Sequence, residues 1–201
     1  MNENKNLIDI KLNPLDLFDK WFAEAKLKEI YDPNAMNLAT VSSKSQPTSR
    51  IVLLKSYNVK GFVFYTNLNS KKGHAIRNNS QVALNFYWKS LQKQICIQGN
   101  AKIISQKEAN KYFDSRPKDS RISTWASKQS SGLKNREELE NRVIEFKKKF
   151  KGSKVPRPKN WIGFVVEPQL IEFWQKMPSR LHDRTEFVKI DNNWISRKLY
   201  P

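Results

Sequence analysis

Residues 61–88 read GFVFYTNLNSKKGHAIRNNSQVALNFYW, and the fold turns on how they are parsed. GFVFYTN and QVALNFYW are short runs rich in β-branched and aromatic residues, the composition of strands. SKKGHAIRNN between them reads as a short helix. Upstream, AMNLATVS and SRIVLLKSY have the same texture, with the turn signals SKSQP and NVKG after them. Downstream, KQICIQGNAKII adds another strand. Strands at such close intervals predict an antiparallel sheet curled into a barrel.

Helices flank this block. NPLDLFDKWFAEA places Leu15, Phe18, Phe22 and Ala25 at helical spacing, with Asn13 as N-cap and Pro14 at the first helical position. SQKEANKYF opens with a capping box, Ser105 and Glu108. NREELENRVIEFKKKF is acidic early and basic late, matching the helix dipole. After a Lys/Pro loop, WIGFVVEP and LIEFWQ read as two strands, and EFVKI and WISRKL as a pair hinged at DNN. The expectation is one α+β domain over residues 1–201, with 1–13 a short N-terminal arm.

Hydrophobic residues make up 38% of the 201 and aromatics 11%, too many for a disordered chain. No apolar run approaches the roughly 18 residues of a membrane span. The opening MNENKNLIDIKLNP lacks the pattern of a signal peptide. The lone Cys96 has no internal disulfide partner and reads as a small buried residue, so a cytoplasmic location is expected. The formal charge of +18 (37 Lys and Arg against 19 Asp and Glu) implies an anionic partner. The basic residues are spread along the chain and rarely interleaved with aromatics, which argues against nucleic acid. The dense run FKKKFKGSKVPRPK (146–159) reads as a solvated helix end and linker. Cys96, His74 and His182 have no metal-ligand spacing, and GxSxG, GxxxxGK[ST] and GxGxxG are absent.

Five places hold candidate chemistry. In RIVLLK, strand alternation sets Arg50 opposite Lys55, with Val52 and Leu54 on the side of Arg50. This is either an amphipathic strand with charged ends in water or a strand lying under a ligand. Thr66, Ser70, Lys71 and Lys72 surround a helix start, where two lysines oppose the dipole unless a phosphate sits between them. Tyr112 and Arg116 lie one helical turn apart, and Pro117 ends that helix so that Ser120 swings towards both. Phenol, guanidinium and hydroxyl suit a phosphate monoester; a surface cluster with Asp114 or Asp119 suits them equally. WASKQSS offers Gln129, Ser130 and Ser131 as neutral polar groups, while Trp125 and Trp174 are core aromatics or walls for a flat ring. In SRLHDR (179–184), Arg180 and Arg184 flank His182, with Asp183 as the one local carboxylate to offset them.

Taken in order, RIVLLK, FYTN followed by SKK, KYFDSRP, SKQSS, IEFWQ and RLHDR closely resemble the pyridoxamine 5′-phosphate oxidase family, from about Asp32 to Pro201. The resemblance implies an FMN-binding split barrel and a homodimer with each flavin at the subunit interface. It further implies oxidation of pyridoxamine 5′-phosphate and pyridoxine 5′-phosphate to pyridoxal 5′-phosphate. Hydride would pass from substrate C4′ to flavin N5, and O2 would reoxidise the flavin to give H2O2. By motif, Arg50, Ile51, Val52, Leu53, Leu54, Lys55, Tyr65, Thr66, Lys71 and Lys72 would contact FMN. Gln94, Gln129, Ser130, Trp174 and Arg184 would complete that site, some of them from the partner subunit. Lys55, Tyr112, Arg116 and Ser120 would hold the substrate phosphate. Arg180, Leu181 and His182 would lie over the pyridine ring and Asp32 near the active site, with Arg180, His182 and Asp32 as the catalytic residues. Two departures stand out. Lys71-Lys72 follows Ser70 where Arg-Lys is usual, and the N-terminal Arg-x-x-Tyr segment that closes over substrate is missing. Two rivals keep their place: another split-barrel flavoprotein acting on a different substrate, and a basic nucleic-acid-binding protein.

Overall fold

The computed structural model describes residues 7–201; the first six residues of the expected arm lie outside it. The chain runs α1 (Pro14–Lys28), β1 (Ala35–Val41), β2 (Pro47–Leu53), β3 (Ser56–Asn58), β4 (Gly61–Asn67), α2 (Lys71–Asn78), β5 (Gln81–Trp88) and β6 (Lys93–Ile103). It continues with α3 (Gln106–Ser115), α4 (Lys118–Ala126), α5 (Arg136–Lys149), β7 (Trp161–Gln175), β8 (Asp183–Ile190) and β9 (Asn193–Leu199). The strands form one curled antiparallel sheet ordered β2-β1-β5-β6-β7-β4-β3, with β8 on β7 and β9 on β8. This is the α+β split-barrel architecture.

β7 is the spine. Its first half pairs with β4 (Asn67↔Trp161 to Phe62↔Val166) and its second half with β8 (Leu170↔Val188 to Gln175↔Asp183), while β6 follows it along both halves. The sheet therefore divides beside residues 167–169. WIGFVVEP and LIEFWQ, expected as two strands, are one continuous strand. Pro168 has no N–H for the ladder, and it is tolerated because the β6 register shifts between Gln98 and Gly99 opposite it. At Gly99, a Cβ would sit 2.1 Å from the Glu167 carbonyl oxygen, so only glycine allows this approach.

SRIVLLKSY also departs from its expected course. β2 ends at Leu53 and β3 begins at Ser56, because the chain leaves β1 for β4 there. Leu54 N–H donates to Asn34 O and Lys55 N–H to Val63 O, 2.8 Å each. Strand alternation thus stops short of Lys55.

Two cores result. α1 plugs the barrel: Phe18 is fully buried, with its ring 4.9 Å from Phe62 and 5.5 Å from Phe86. Asn13 caps α1 as expected, its Oδ1 accepting from Leu15 N–H. A smaller core of Phe113, Ile122, Phe150, Val155 and Trp161 joins α3, α4 and α5 to the outer side of β4 and β7. The space between this helical layer and the strands becomes the cleft.

Candidate active site

A cavity of about 720 Å³ is lined by β2 (Ile51, Val52, Leu53), Lys55, β4 (Tyr65, Thr66, Asn67) and Lys72, and on its other wall by α3–α4 residues, Asp119 among them, and Gln129. Its volume falls within the range of ligand sites. Ser70 caps α2 by accepting from Gly73 N–H at 3.2 Å, which sets Lys72 in the first turn of the helix, facing the cleft. Lys71, the residue before it, points to solvent and does not line the cavity.

The electrostatics are one-sided. Lys72 is only 9% exposed, and its pKa is lowered by burial and then by the nearby Arg50 charge. Arg50 is also lowered by burial, and its guanidinium donates to neutral acceptors: Leu38 O, Thr40 Oγ1 and Thr48 Oγ1. Arg116 lies over the Trp161 ring at 4.9 Å and donates to Thr124 Oγ1 at 2.8 Å; burial is the main cause of its lowered pKa. None of the ion pairs among the described residues involves Lys55, Lys72, Arg50 or Arg116. A half-buried cation without a counter-ion is costly unless an anion is taken up.

Aromatic and hydroxyl groups frame these charges. Tyr65 stacks on Tyr112 (4.1 Å) and on Trp161 (4.9 Å), and those two rings lie 6.1 Å from each other. Its phenol is pushed up to about 12 by burial, with smaller contributions from Tyr112 and Glu108, so it is a neutral donor at ordinary pH. Thr66 Oγ1 donates to Gln129 Oε1 at 3.1 Å, tying the end of β4 to the loop after α4. Arg116 is the C-cap of α3 and Pro117 the N-cap of α4, so the chain turns there and brings Ser120 to the same wall as Tyr112. Ser123, Thr124 and Ser127 join that wall and were missed from sequence. Their spacing from Ser120 (i+3, i+4, i+7) on a helix is the signal that would have found them.

The other expected site residues fall elsewhere. Gln94, Trp174 and Arg184 are partners across β6, β7 and β8, a transverse row on the outer face of the sheet. The His182 ring lies 4.7 Å from that of Trp174, and its Nδ1 accepts from Met177 N–H. Arg184 donates to Glu172 Oε1 at 2.7 Å, which raises its pKa, and to the Tyr200 carbonyl. Asp183 does not offset the arginines of SRLHDR; its partner is Lys198, at 2.7 Å. Arg180 sits in a turn with Ser179, both at positive φ (62° and 52°), and Leu181 is exposed. None of Gln94, Trp174, Arg180, Leu181, His182 or Arg184 lines the cavity. Leu54 is in the barrel core, Ser130 lines a small hollow beside α5, and Asp32 is exposed at the start of β1. Among the described residues, no cluster of His, Cys, Asp and Glu could hold a metal, and no helix is long and apolar enough to cross a membrane.

Residues 23–150 match the sequence pattern of pyridoxamine 5′-phosphate oxidase, and residues 161–201 that of the pyridoxine 5′-phosphate oxidase C-terminal dimerisation region. The chain belongs to the pyridoxamine 5′-phosphate oxidase family. It is 46% identical over 200 residues to a pyridoxine/pyridoxamine 5′-phosphate oxidase of Pelagibacter ubique, covering 98% of this chain and 96% of the relative. A relative of the same description from Caulobacter vibrioides is 46% identical over 189 residues (94% and 85%). Among solved structures, PhzG of Burkholderia lata, in complex with tetrahydrophenazine-1-carboxylic acid, superposes with a TM-score of 0.89 at 30% identity (94% and 93%). A Nostoc punctiforme FMN-binding protein, at TM-score 0.76 and 15% identity, supports the fold alone (94% and 99%). Family membership makes the chain an oxidoreductase, and the dimerisation region spans β7 to β9, two of which, β7 and β8, carry Trp174 and Arg184 of the outer row.

Proposed function

We propose that the protein binds FMN and oxidises pyridoxamine 5′-phosphate and pyridoxine 5′-phosphate to pyridoxal 5′-phosphate, as a homodimer whose sites each draw on both copies. The observation that carries this reading is a set of cations, Lys72, Arg116 and Lys55 on the cleft walls and Arg50 beside Lys72, none of them in an ion pair among the described residues, next to a stack of aromatic rings; the acidic residue of the lining, Asp119, is paired with Lys147. Two phosphate esters on flat ring systems match that set. The residues present fit FMN: Arg50 and Lys72 answer a phosphate dianion, Thr66 and Gln129 offer neutral polar contacts, and the cavity has the volume. When bound, FMN supplies the two-electron acceptor that takes hydride from the substrate C4′ and is restored by O2 with release of H2O2.

The roles of the chain follow. Tyr112, Arg116 and Ser120 from the α3–α4 wall and Lys55 from the strand side grip the substrate phosphate, and binding there orients the ring for transfer. Gln94, Trp174 and Arg184 of a second copy close the flavin side. Arg180 and His182 of that copy cover the substrate ring, and the imidazole Nε2 stays free because Nδ1 accepts from Met177 N–H. Residues 161–201, matched by the dimerisation region, carry all of these except Gln94, which pairs directly with Trp174.

The test is a spectrum. Purified protein is expected to be yellow, to release FMN on denaturation, and to bleach without air on addition of pyridoxamine 5′-phosphate. Protein that stays colourless with added FMN overturns the reading. Bleaching by a ring carboxylate of the kind bound to PhzG, and not by pyridoxamine 5′-phosphate, moves the substrate class instead.

A further inference from the structure

The beginning of β8 is held by a knot that involves the N-terminal arm. Asp183 is its centre: a side chain only 9% exposed, 2.7 Å from Lys198 Nζ through Oδ1 and 2.7 Å from the Ile8 N–H through Oδ2. Lys198 Nζ also donates to the Ile8 carbonyl, and Ser196 Oγ to the Ile10 carbonyl. Three groups far apart in sequence thus close one hydrogen-bonded ring, and the 5%-exposed Ile8 side chain beside it joins the barrel core.

Where this knot sits gives it a consequence. Gln175↔Asp183 is the last pair of the β7–β8 ladder, so beyond Asp183 no strand pairing holds the chain. The preceding turn closes with Leu181 N–H to Pro178 O at 3.0 Å and carries Ser179 and Arg180 in left-handed backbone, which non-glycine residues keep only where their surroundings impose it. Side chains alternate along β8: Asp183, Thr185 and Phe187 face the core, while Arg184 faces the outer row with Glu172. Fixing Asp183 inward therefore fixes the phase of the alternation, sending Arg184 outward and leaving His182 against Trp174.

We infer that Asp183 is a positioning residue: with Lys198 and the arm segment Ile8–Ile10 it straps down the base of the 178–182 turn and so sets where Arg180 and His182 stand. The arm acts from behind the sheet, through Asp183. The kinetic consequence rests on the proposed oxidase activity; the structural one does not.

The experiment uses the FMN-loaded full chain with Asp183→Ala, Lys198→Met and, as the conservative change, Asp183→Asn, which keeps an acceptor for Ile8 N–H. Hydrogen exchange at the Met177 and Leu181 amides is expected to quicken in Asp183→Ala and Lys198→Met, and less in Asp183→Asn. With pyridoxamine 5′-phosphate, kcat of Asp183→Ala is expected to fall about 10-fold, the scale of a small misplacement. In a His182→Ala background the same change is expected to cost less than in the wild type, since only its effect through Arg180 is left, a non-additivity that simple loss of stability does not produce. Unchanged exchange at both amides, an unchanged kcat, or losses that multiply would each overturn the inference. If Asp183→Ala does not fold, Lys198→Met, whose site is 42% exposed, decides by the same readouts. Wild-type protein inactive on pyridoxamine 5′-phosphate but with quickened exchange in the variants would sink the proposed substrate and leave the strap standing.

Discussion

At the cleft, Arg50 and Arg116 donate only to neutral acceptors, Arg116 lies over the Trp161 ring, and Lys72 enters no ion pair among the described residues. On the outer face of β7–β9, Arg184 is bound to Glu172 and Arg197 to Glu186, at 2.7 and 2.6 Å. The chain therefore handles positive charge in two ways within one sheet. Cations left without partners inside a cavity attract an anion, and their cost is recovered when it binds. Arginines already paired attract little more, but they stand still. On the proposed reading the cleft captures phosphate, and the outer row presents Gln94, Trp174 and Arg184 at fixed positions. The +18 charge, diffuse in the sequence, acquires meaning only where cations are left without ion-pair partners.

The largest effect should come from reversing the charge at the buried end of the cleft. Lys72→Glu is expected to weaken FMN binding by more than about 100-fold, as an unpaired buried anion replaces a cation. Lys72→Met separates function from stability: FMN affinity falls, while the flavin-free protein gains about 1 kcal/mol because a desolvated charge is gone. The sign with pH follows from the lowered Lys72 pKa. Between that value and the ordinary lysine value of about 10.5, the unfolded chain holds the proton more tightly, so wild-type stability rises with pH and its deficit against Lys72→Met shrinks. Denaturant melts of both flavin-free proteins at rising pH check this; a constant gap would show that Lys72 is not desolvated.

Next in size is Arg116→Ala. Loss of a charge-assisted contact worth roughly 1.5–3 kcal/mol should raise KM for pyridoxamine 5′-phosphate about 10- to 100-fold, with FMN affinity unchanged. Steady-state kinetics at saturating FMN read it, and an unchanged KM removes Arg116 from the phosphate grip. Smallest is Glu172→Gln in the outer row. Arg184 keeps its charge and loses its anchor, so FMN affinity should fall less than about 10-fold in a fluorescence titration. A loss as large as that of Lys72→Glu would erase the contrast between the two regions.

Much of this was legible in the sequence for physical reasons that can be named. Alternating apolar residues gave most strands, and the i, i+4 spacing of Tyr112 and Arg116 with a following proline gave the turn of the α3–α4 wall. The misread strands failed where long-range pairing overrides local signals. Pro168 looked like a strand break, but a register shift in β6 absorbs it. Leu54 looked like strand interior, but the chain changes partner strands there. Which cations are paired was the least legible property, because Lys198 lies 15 residues from Asp183 and Ile8 lies 175 from it. Local sequence suggested that Asp183 balances its neighbouring arginines; the fold turns it to the other face.

The most direct test of a site shared between two copies is complementation. Lys72→Glu disables the cleft and Arg184→Ala the outer row, so each pure variant should be inactive or nearly so. In a mixed dimer, both lesions fall in one site and the other site is intact. After subunit exchange between equal amounts, half the dimers are mixed and about a quarter of wild-type activity should return. Mixtures no more active than the two variants apart would contradict the shared site and place cleft and row in separate roles.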